Sequence, residues 1–450
     1  MSNICVIGAG YVGLVTAVGF AELGHRVKLV EIDGAKLDAL EQNVIPIHEP
    51  GLEDLWIRAQ ENGRIEVTNN YIHGLLGADF VFITVGTPST KSGKPSLKWV
   101  RIAARSIAET ASGPVVVVMK STVPVGTADI ITRIIGKYRR DPGLFPVVSN
   151  PEFLREGSAV DDFFRPNRVV VGASDPTAAE AVARLYRPLG QPIVMCNNTT
   201  AELSKYASNA FLATKISFIN EIALLCEECG VDVTKVSQIL GMDPRIGSSY
   251  LNAGLGWGGS CLPKDVKGLI FMGEQNKVHM HLTQMVSRIN QSQPNVVINK
   301  LKRLLGGVEG KTIGILGLSF KPGSDDLRET RSLLIIEQLS ELGCNIKACD
   351  PVAAEKASQM VPDLVCYLDV YDLARDCDAL VLVTEWEEFR NIDLYKLASV
   401  MRNPVFIDGR NLFEPEQMKR AGFIYEGIGR RQPNRETAEL AEPGYLRSLP

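Results

Sequence analysis

The stretch Ile4-Cys-Val-Ile-Gly8-Ala-Gly10-Tyr-Val-Gly13-Leu14 decides how this chain is read. Ile4 to Ile7 are four consecutive apolar residues, the mark of a strand covered on both faces. Three glycines follow at once, and a helical stretch from Leu14 to Leu23 begins where they end. In a strand–turn–helix unit each glycine has a task. Gly8 permits the tight turn, Gly10 lets a pyrophosphate approach the backbone, and Gly13 lets the helix pack on the strand. The N–H groups at the helix head then favour phosphate. A glycine turn without a ligand is the competing reading, and the order of elements favours the dinucleotide. The second strand ends Leu29-Val30-Glu31-Ile32-Asp33. A carboxylate at Glu31 can accept both ribose hydroxyls and repels a 2′-phosphate, which favours NAD over NADP, with Lys36 partly offsetting it.

Working outward, residues 1–200 alternate short β-branched runs with helical stretches, among them Val27 to Ile32, Phe80 to Val85, Val115 to Met119 and Val169 to Gly172. Such runs predict parallel strands in a doubly wound α/β sheet, a Rossmann-type domain. From 201 to 305 the strand pattern disappears. Ala201 to Cys229 reads as one long helix, and further helices are expected after Pro263 and over 281–305. A long helical spine exposes more apolar surface than a small domain covers, so this segment is expected to dimerise. At Lys311 the strand pattern returns and predicts a smaller α/β domain over 306–430, whose first turn has Gly314 and Gly317 but not the full triplet. Residues 431–450 read as a loose tail.

The composition excludes several classes of function. A chain of 450 residues with 45% hydrophobic and 22% charged residues is an ordinary globular protein with room for several cores. A net charge of -4 offers no basic field for nucleic acid or anionic lipid. The first strand starts with no charged leader before it, so secretion is not expected. No run of consecutive apolar residues approaches the ~18 of a membrane span. The 9 cysteines are odd in number and scattered, as reduced thiols of a cytoplasmic protein would be. Cys226 and Cys229 form a lone CxxC without a second pair at zinc spacing, so no metal site is expected.

The chemistry-bearing residues lie further along. Lys205 and Asn209 share one helix face and can stabilise an oxyanion together, although without further context a solvated lysine and a capping asparagine are the favoured reading. Cys261, in Gly258-Gly-Ser-Cys-Leu-Pro-Lys-Asp265, stands before a proline that suits a first helical turn. A thiol at a helix head, with Lys264 beside it and Asp265 one turn on, is a candidate nucleophile of lowered pKa. None of the 5 histidines falls in these motifs, which disfavours a Cys–His dyad. General-base work would fall to Glu152 or Glu156, to lysine or to water. Thr87 and Thr122 follow strands, where ligands collect in open sheets, though each is as readily a turn former.

These residues sit in GAGYVG at 8–13, GTP at 86–88, KSTVPVGT at 120–127, NPEFLREG at 150–157, KYASNAF at 205–211, GGSCLPKD at 258–265 and FKPGSDDLRETRS at 320–332. With these motifs in this order, the chain closely resembles the UDP-glucose 6-dehydrogenases of the wider UDP-glucose/GDP-mannose dehydrogenase family. The resemblance implies oxidation of UDP-glucose to UDP-glucuronate with two NAD and water. Cys261 would form a thiohemiacetal and then a thioester at the sugar C6, with Lys205 and Asn209 stabilising the oxyanion. Asp265 and Thr122 would position water, and Glu152 would act as acid/base. The cofactor contacts it implies are Gly8, Gly10, Tyr11, Val12, Gly13, Glu31, Lys36, Thr87, Thr122 and Glu156, with Lys264 and Arg328 reaching in across the domain cleft. For the nucleotide sugar it implies Glu152, Phe153, Leu154, Arg155 and Glu156, Lys205, Asn209, then Tyr250, Leu251, Asn252, Ala253 and Gly254, Gly258 and Lys321. Arg245 resembles the family's arginine that enters a neighbouring subunit's site, so a homodimer or higher homo-oligomer is implied.

Glu31 stands where the family usually has Asp, and Trp257 where it often has another aromatic. Members acting on GDP-mannose usually carry Trp-His where this chain has Ala210-Phe211, and relatives acting on N-acetylated sugars usually have histidine where Ser260 stands. UDP-glucose is therefore the expected substrate, with GDP-mannose as the alternative. A two-electron hydroxyacid-type dehydrogenase would leave Cys261 and the last α/β domain idle, and a non-enzymatic nucleotide sensor would not need the oxyanion pair.

Overall fold

The structure is a computed structural model that describes residues 1–90 and 92–430, so the tail read at 431–450 lies outside the described residues. Two compact units divide the chain. Met1–Ala210 and Lys264–Met280 form the first; Phe211–Pro263 and the described residues from His281 form the second. The division cuts the helices Asn198–Cys229 and Leu262–Gln275, so the helical middle segment is shared between the units. Packing explains this: Tyr206 and Ala210 bury against Leu269, whereas Ile219, Ala223 and Cys226 join the core of the second sheet.

Among the described residues the first unit holds eight strands: β1 (Asn3–Ile7), β2 (Arg26–Val30), β3 (Ile65–Thr68), β4 (Phe80–Ile83), β5 (Val116–Met119), β6 (Val147–Ser149), β7 (Val169–Ala173) and β8 (Ile193–Cys196). Their order is β3-β2-β1-β4-β5-β6-β7-β8, so the winding reverses between β1 and β4. Both faces of β1 are covered. Ile4 and Val6 point into one core with Phe20 and Phe82, while Cys5 and Ile7 point into another with Val81 and Ile83. The alternation explains the unbroken apolar run.

One expectation is corrected. β6 and β7 pair antiparallel, so Val169 to Gly172 does not continue the parallel set. Antiparallel neighbours can be joined at one end of the sheet, whereas a parallel pair needs a connection that crosses to the other end. Residues 150–168, with the helix Ala159–Phe164, join β6 to β7 without such a crossing. The segment from Asn150 therefore stays at the strand ends, where ligands collect in such sheets.

The second unit has, among the described residues, six parallel strands: β9 (Thr312–Leu316), β10 (Asn345–Cys349), β11 (Val365–Tyr367), β12 (Ala379–Leu382), β13 (Val405–Asp408) and β14 (Ile424–Gly427), in the order β11-β10-β9-β12-β13-β14. Its winding also reverses beside the first strand, but its turn is differently filled. Asp350, after β10, stands where Glu31 stands after β2. Its carboxylate accepts from the N–H groups of Leu318, Ser319, Val352 and Ala353 and from Trp386 Nε1. Five donors exceed the roughly four acceptor positions of a carboxylate, and nothing is left for a ribose diol.

The helix Asn198–Cys229 contains no unbroken apolar run of membrane length. By length and composition it could cross a membrane, although 44% of its apolar window is buried. A search for consecutive apolar residues passes over it because polar residues interrupt every turn. Its buried side is mixed: Glu202, Lys205, Asn209, Ser217 and Asn220 are buried together with Tyr206, Ile219 and Ala223, while Leu203, Phe211, Phe218 and Leu225 are exposed.

Glu202 shows why the buried face carries polar groups. Gly126 heads the helix Thr127–Tyr138 without a side-chain cap, and Glu202 supplies one, accepting from Gly126 N at 2.7 Å and Ala128 N at 2.8 Å. Burial pushes its carboxyl up to about 7 from the ordinary 4.5. A raised carboxyl stabilises the fold in its protonated form, so this contribution is complete below about 4.5 and lost as pH rises through about 7. Glu202→Gln keeps an acceptor but no longer titrates. Urea midpoints should therefore fall less between about pH 5 and pH 8 in the variant than in the parent protein. Equal slopes would refute this assignment.

Candidate functional site

At the turn after β1, the helix Tyr11–Glu22 begins with Gly10 as N-cap and no side-chain cap, which leaves its head groups to a ligand. A Cβ on Gly13 would lie 1.8 Å from Gly8 O, so only glycine lets this helix pack so close. Around Gly10 a Cβ would meet nothing within 4 Å, the open space a pyrophosphate needs. These features fit a dinucleotide. Glu31 is buried and ties the second strand to this turn: Oε2 accepts from Ala9 N at 2.8 Å, and Oε1 accepts from Ile32 N at 2.8 Å and Asp33 N at 2.9 Å. Lys36 is exposed on the following helix, which Asp33 caps. Thr87 is buried and donates to Thr122 O at 2.8 Å, so its hydroxyl joins two strand-end loops and retains acceptor capacity. Thr122 itself is half-buried.

The segment after β6 holds the centre of the first unit. Lys205 Nζ lies 3.1 Å from Glu152 Oε1, and the two side chains are only 4% and 5% exposed. Two buried charges in contact are costly unless each satisfies the other. Phe153 packs beside them, with the Arg168 guanidinium 3.7 Å from its ring centre and Lys205 Nζ at 5.3 Å. Asn209, one turn beyond Lys205, donates to Asp265 Oδ2 at 2.6 Å, and the Lys264 ammonium also pairs with Asp265. The structure thus brings Glu152 to Lys205 and Asn209 to Asp265. Lys264, expected at the cofactor, is paired with its neighbour. Leu154 N donates to Glu152, Arg155 pairs with Asp162, and Gly157 N, directly after Glu156, donates to Tyr11 Oη at 2.5 Å. The last bond links the glycine turn to the 152–156 segment.

Three residues that the sequence reading left without a role complete this shell. Glu49 is buried, accepts from Gly157 N and Ala159 N at 2.6 Å each, and caps the helix Ala159–Phe164, where Ser158 makes no cap. Lys120 is buried under the same segment, bonded to Asn150 Oδ1 at 3.2 Å and Tyr186 Oη at 3.1 Å, and burial lowers its pKa to about 8. Asn150 in turn donates to Val170 O. A lysine ending the all-apolar run Val115 to Met119 was the available signal for Lys120. Glu49 carried none, because its partners lie more than a hundred residues away.

In the second unit, residues 250–258 form a turn held by several helices. Tyr250 takes a left-handed φ of 65°, Ser237 Oγ donates to Leu251 O, and Gly254 N donates to Asn220 Oδ1. Leu251 and Ala253 are buried and Asn252 is exposed. Gly258 lies so close to the 329–330 backbone that a Cβ would sit 2.4 Å from Glu329 O. Cys261 follows directly, half-buried at the head of Leu262–Gln275, with Ser260 Oγ 3.4 Å from its sulfur. Cys5, Cys196, Cys226, Cys344, Cys349 and Cys377 have their thiols pushed up by burial, to about 12 for Cys5 and Cys349, and none of these six is poised to ionise. Arg328 is held bidentately by Asp326, and exposed Arg245 by Asp243. Half-buried Lys321 lies over the Phe320 ring. Among the described residues no three His, Cys, Asp or Glu side chains are grouped as a metal would require.

A doubly wound sheet with an open glycine turn, followed by helices and a second Rossmann-like sheet, defines an NAD-dependent oxidoreductase with a separate nucleotide domain. The chain belongs to the UDP-glucose/GDP-mannose dehydrogenase family, whose NAD binding domain matches residues 2–190, central domain 199–292 and UDP binding domain 314–415. It is 44% identical to the UDP-glucose 6-dehydrogenase TuaD of Bacillus subtilis (strain 168), over 96% of this chain and 94% of that protein. It is also 44% identical to a UDP-glucose 6-dehydrogenase of Pseudomonas aeruginosa, over 95% and 97%. Among solved structures, a UDP-glucose dehydrogenase from the archaeon Pyrobaculum islandicum superposes with a TM-score of 0.89 at 39% identity, covering 95% of this chain and 98% of that one.

Proposed function

We propose that this protein oxidises UDP-glucose at C6 to UDP-glucuronate: UDP-glucose, two NAD and water give the acid and two NADH. The observation that carries the reading is the nearly full-length match, at 43–44% identity, to several enzymes named UDP-glucose 6-dehydrogenase. Bound NAD supplies a hydride acceptor. The protein supplies the remainder. Loss of hydride and proton from the C6 alcohol gives an aldehyde, which the Cys261 thiolate captures as a thiohemiacetal, keeping it from escaping. Lys205 and Asn209 stabilise the oxyanion on C6. A second hydride loss gives the thioester, and water, positioned by Asp265 and Thr122, releases the carboxylate and regenerates the thiolate. Glu152, in contact with Lys205, carries protons in the hydrolytic stage. Glu31, Lys36, Thr87, Glu156, Lys264 and Arg328 serve the cofactor; Phe153 to Glu156, Tyr250 to Gly254, Gly258 and Lys321 hold the nucleotide sugar.

The working unit is a homodimer. The helix Asn198–Cys229 presents Phe211, Phe218 and Leu225 outward, and a second copy, into whose site Arg245 would reach, covers them. A monomeric mass by light scattering would overturn this part. The catalytic reading is tested with UDP-glucose, GDP-mannose and UDP-N-acetyl sugars as substrates. Two NADH per UDP-glucose consumed is the expected result. One NADH per substrate would indicate a two-electron dehydrogenase, and preference for GDP-mannose would reassign the sugar.

A further inference from the structure

We propose that Asn290 is a positioning residue that sets the turn presenting Cys261. Asn290 lies within the helix His281–Leu305, a location where asparagine is unfavourable and where burying its amide is costly unless it is paired. Both halves of the amide are used on one residue. Oδ1 accepts from Trp257 N at 2.7 Å, and Nδ2 donates to Trp257 O at 2.9 Å. This two-point bond reproduces a strand pairing on a piece of chain that belongs to no strand, and it fixes both position and direction of the Trp257 backbone, four residues before the thiol.

The surroundings permit only this arrangement. Gly256 has a φ of 96°, and a Cβ there would lie 2.3 Å from Asn290 Oδ1, so the approach exists because Gly256 is glycine. The Trp257 indole is held separately, with Nε1 donating to Ser217 Oγ at 3.0 Å, which in turn donates to Val286 O. Asn290 is itself braced, because Arg331 Nη1 donates to its carbonyl at 3.3 Å. From the other side, Gly259 N donates to Arg328 O at 2.9 Å. Between Asn290 and that bond, Trp257-Gly-Gly259 has little backbone freedom left, two residues before Cys261. A nucleophile displaced by about 1 Å from its attack geometry loses on the order of a hundredfold in rate, so the fixing of this turn bears on catalysis as well as on folding.

The inference rests on Cys261 as the nucleophile, and its test separates the two. Asn290→Leu fills the space and removes both bonds. Asn290→Asp keeps the acceptor for Trp257 N, loses the donor, and serves if the leucine variant does not fold. Each is compared with the parent protein well below its melting temperature for kcat, KM for NAD, and the pH midpoint of iodoacetamide alkylation at Cys261, read by peptide mass spectrometry. The expected result is a kcat at least tenfold lower in Asn290→Leu, a smaller loss in Asn290→Asp, KM for NAD within twofold, and an upward shift of the alkylation midpoint as the thiol leaves the helix head. Parental kcat and midpoint in the folded variants would overturn the proposal. So would a loss of activity that only follows the unfolded fraction. The alkylation midpoint does not require turnover, so it decides the role of Asn290 even if Cys261→Ser remains active.

Discussion

Cys261→Ser is expected to lower steady-state formation of UDP-glucuronate by on the order of a thousandfold or more, equivalent to about 4 kcal/mol of barrier. Serine is nearly isosteric, so the turn from Gly258 and the head of Leu262–Gln275 should be undisturbed, and both ligands should bind with little change. What is lost is ionisation: a hydroxyl at this position stays protonated near neutrality, and no histidine accompanies it in these motifs. The aldehyde is then not captured, and the second oxidation lacks its thiohemiacetal. Isothermal titration with UDP-glucose and NAD, beside an NADH time course, checks both halves. Sustained production of the acid at a parental rate would remove Cys261 from the mechanism. Loss of binding would indicate a packing role instead.

Lys205→Met is expected to act on stability and rate together. It strands the Glu152 carboxylate in a site where both side chains are 5% exposed or less, and such breakage of a buried pair costs roughly 3–5 kcal/mol. It also removes the cation assigned to the oxyanion, a loss on the order of 100- to 1000-fold in kcat. The double variant Lys205→Met/Glu152→Gln separates the effects. With no charge left unpaired it should regain most of the urea midpoint, because an apolar replacement of a buried pair is often nearly neutral, while kcat stays low. Recovery of activity along with stability would assign Lys205 to structure alone.

Much of this architecture was legible from local patterns. The glycine turn, the strand–helix alternation and the return of strands at Lys311 follow from two periodicities, 2 and 3.6, which a sequence displays directly. The helix over 281–305 appears with those limits for the same reason. The antiparallel β7 was not legible, since a run of apolar residues marks a strand but not the direction in which it pairs. Nor were the buried polar groups of the helix Asn198–Cys229, because spacing along a helix does not show which polar side chains find partners inside.

The candidate site divides along the same line. Glu31, Lys205, Asn209 and Cys261 were accessible because each sits at a fixed offset from a turn, a helix face or a helix head. Glu49, Lys120 and Asn290 were not, because their partners are Gly157, Asn150 and Trp257, brought near only by folding. The sequence by itself determined the α/β class and the cofactor turn, since those depend on residue type and spacing along the chain. Tertiary structure alone decided which charges meet, that Lys205 is paired with Glu152, and which buried amide steadies the turn before Cys261. Pairing and burial depend on distances across the fold, and sequence spacing does not encode them.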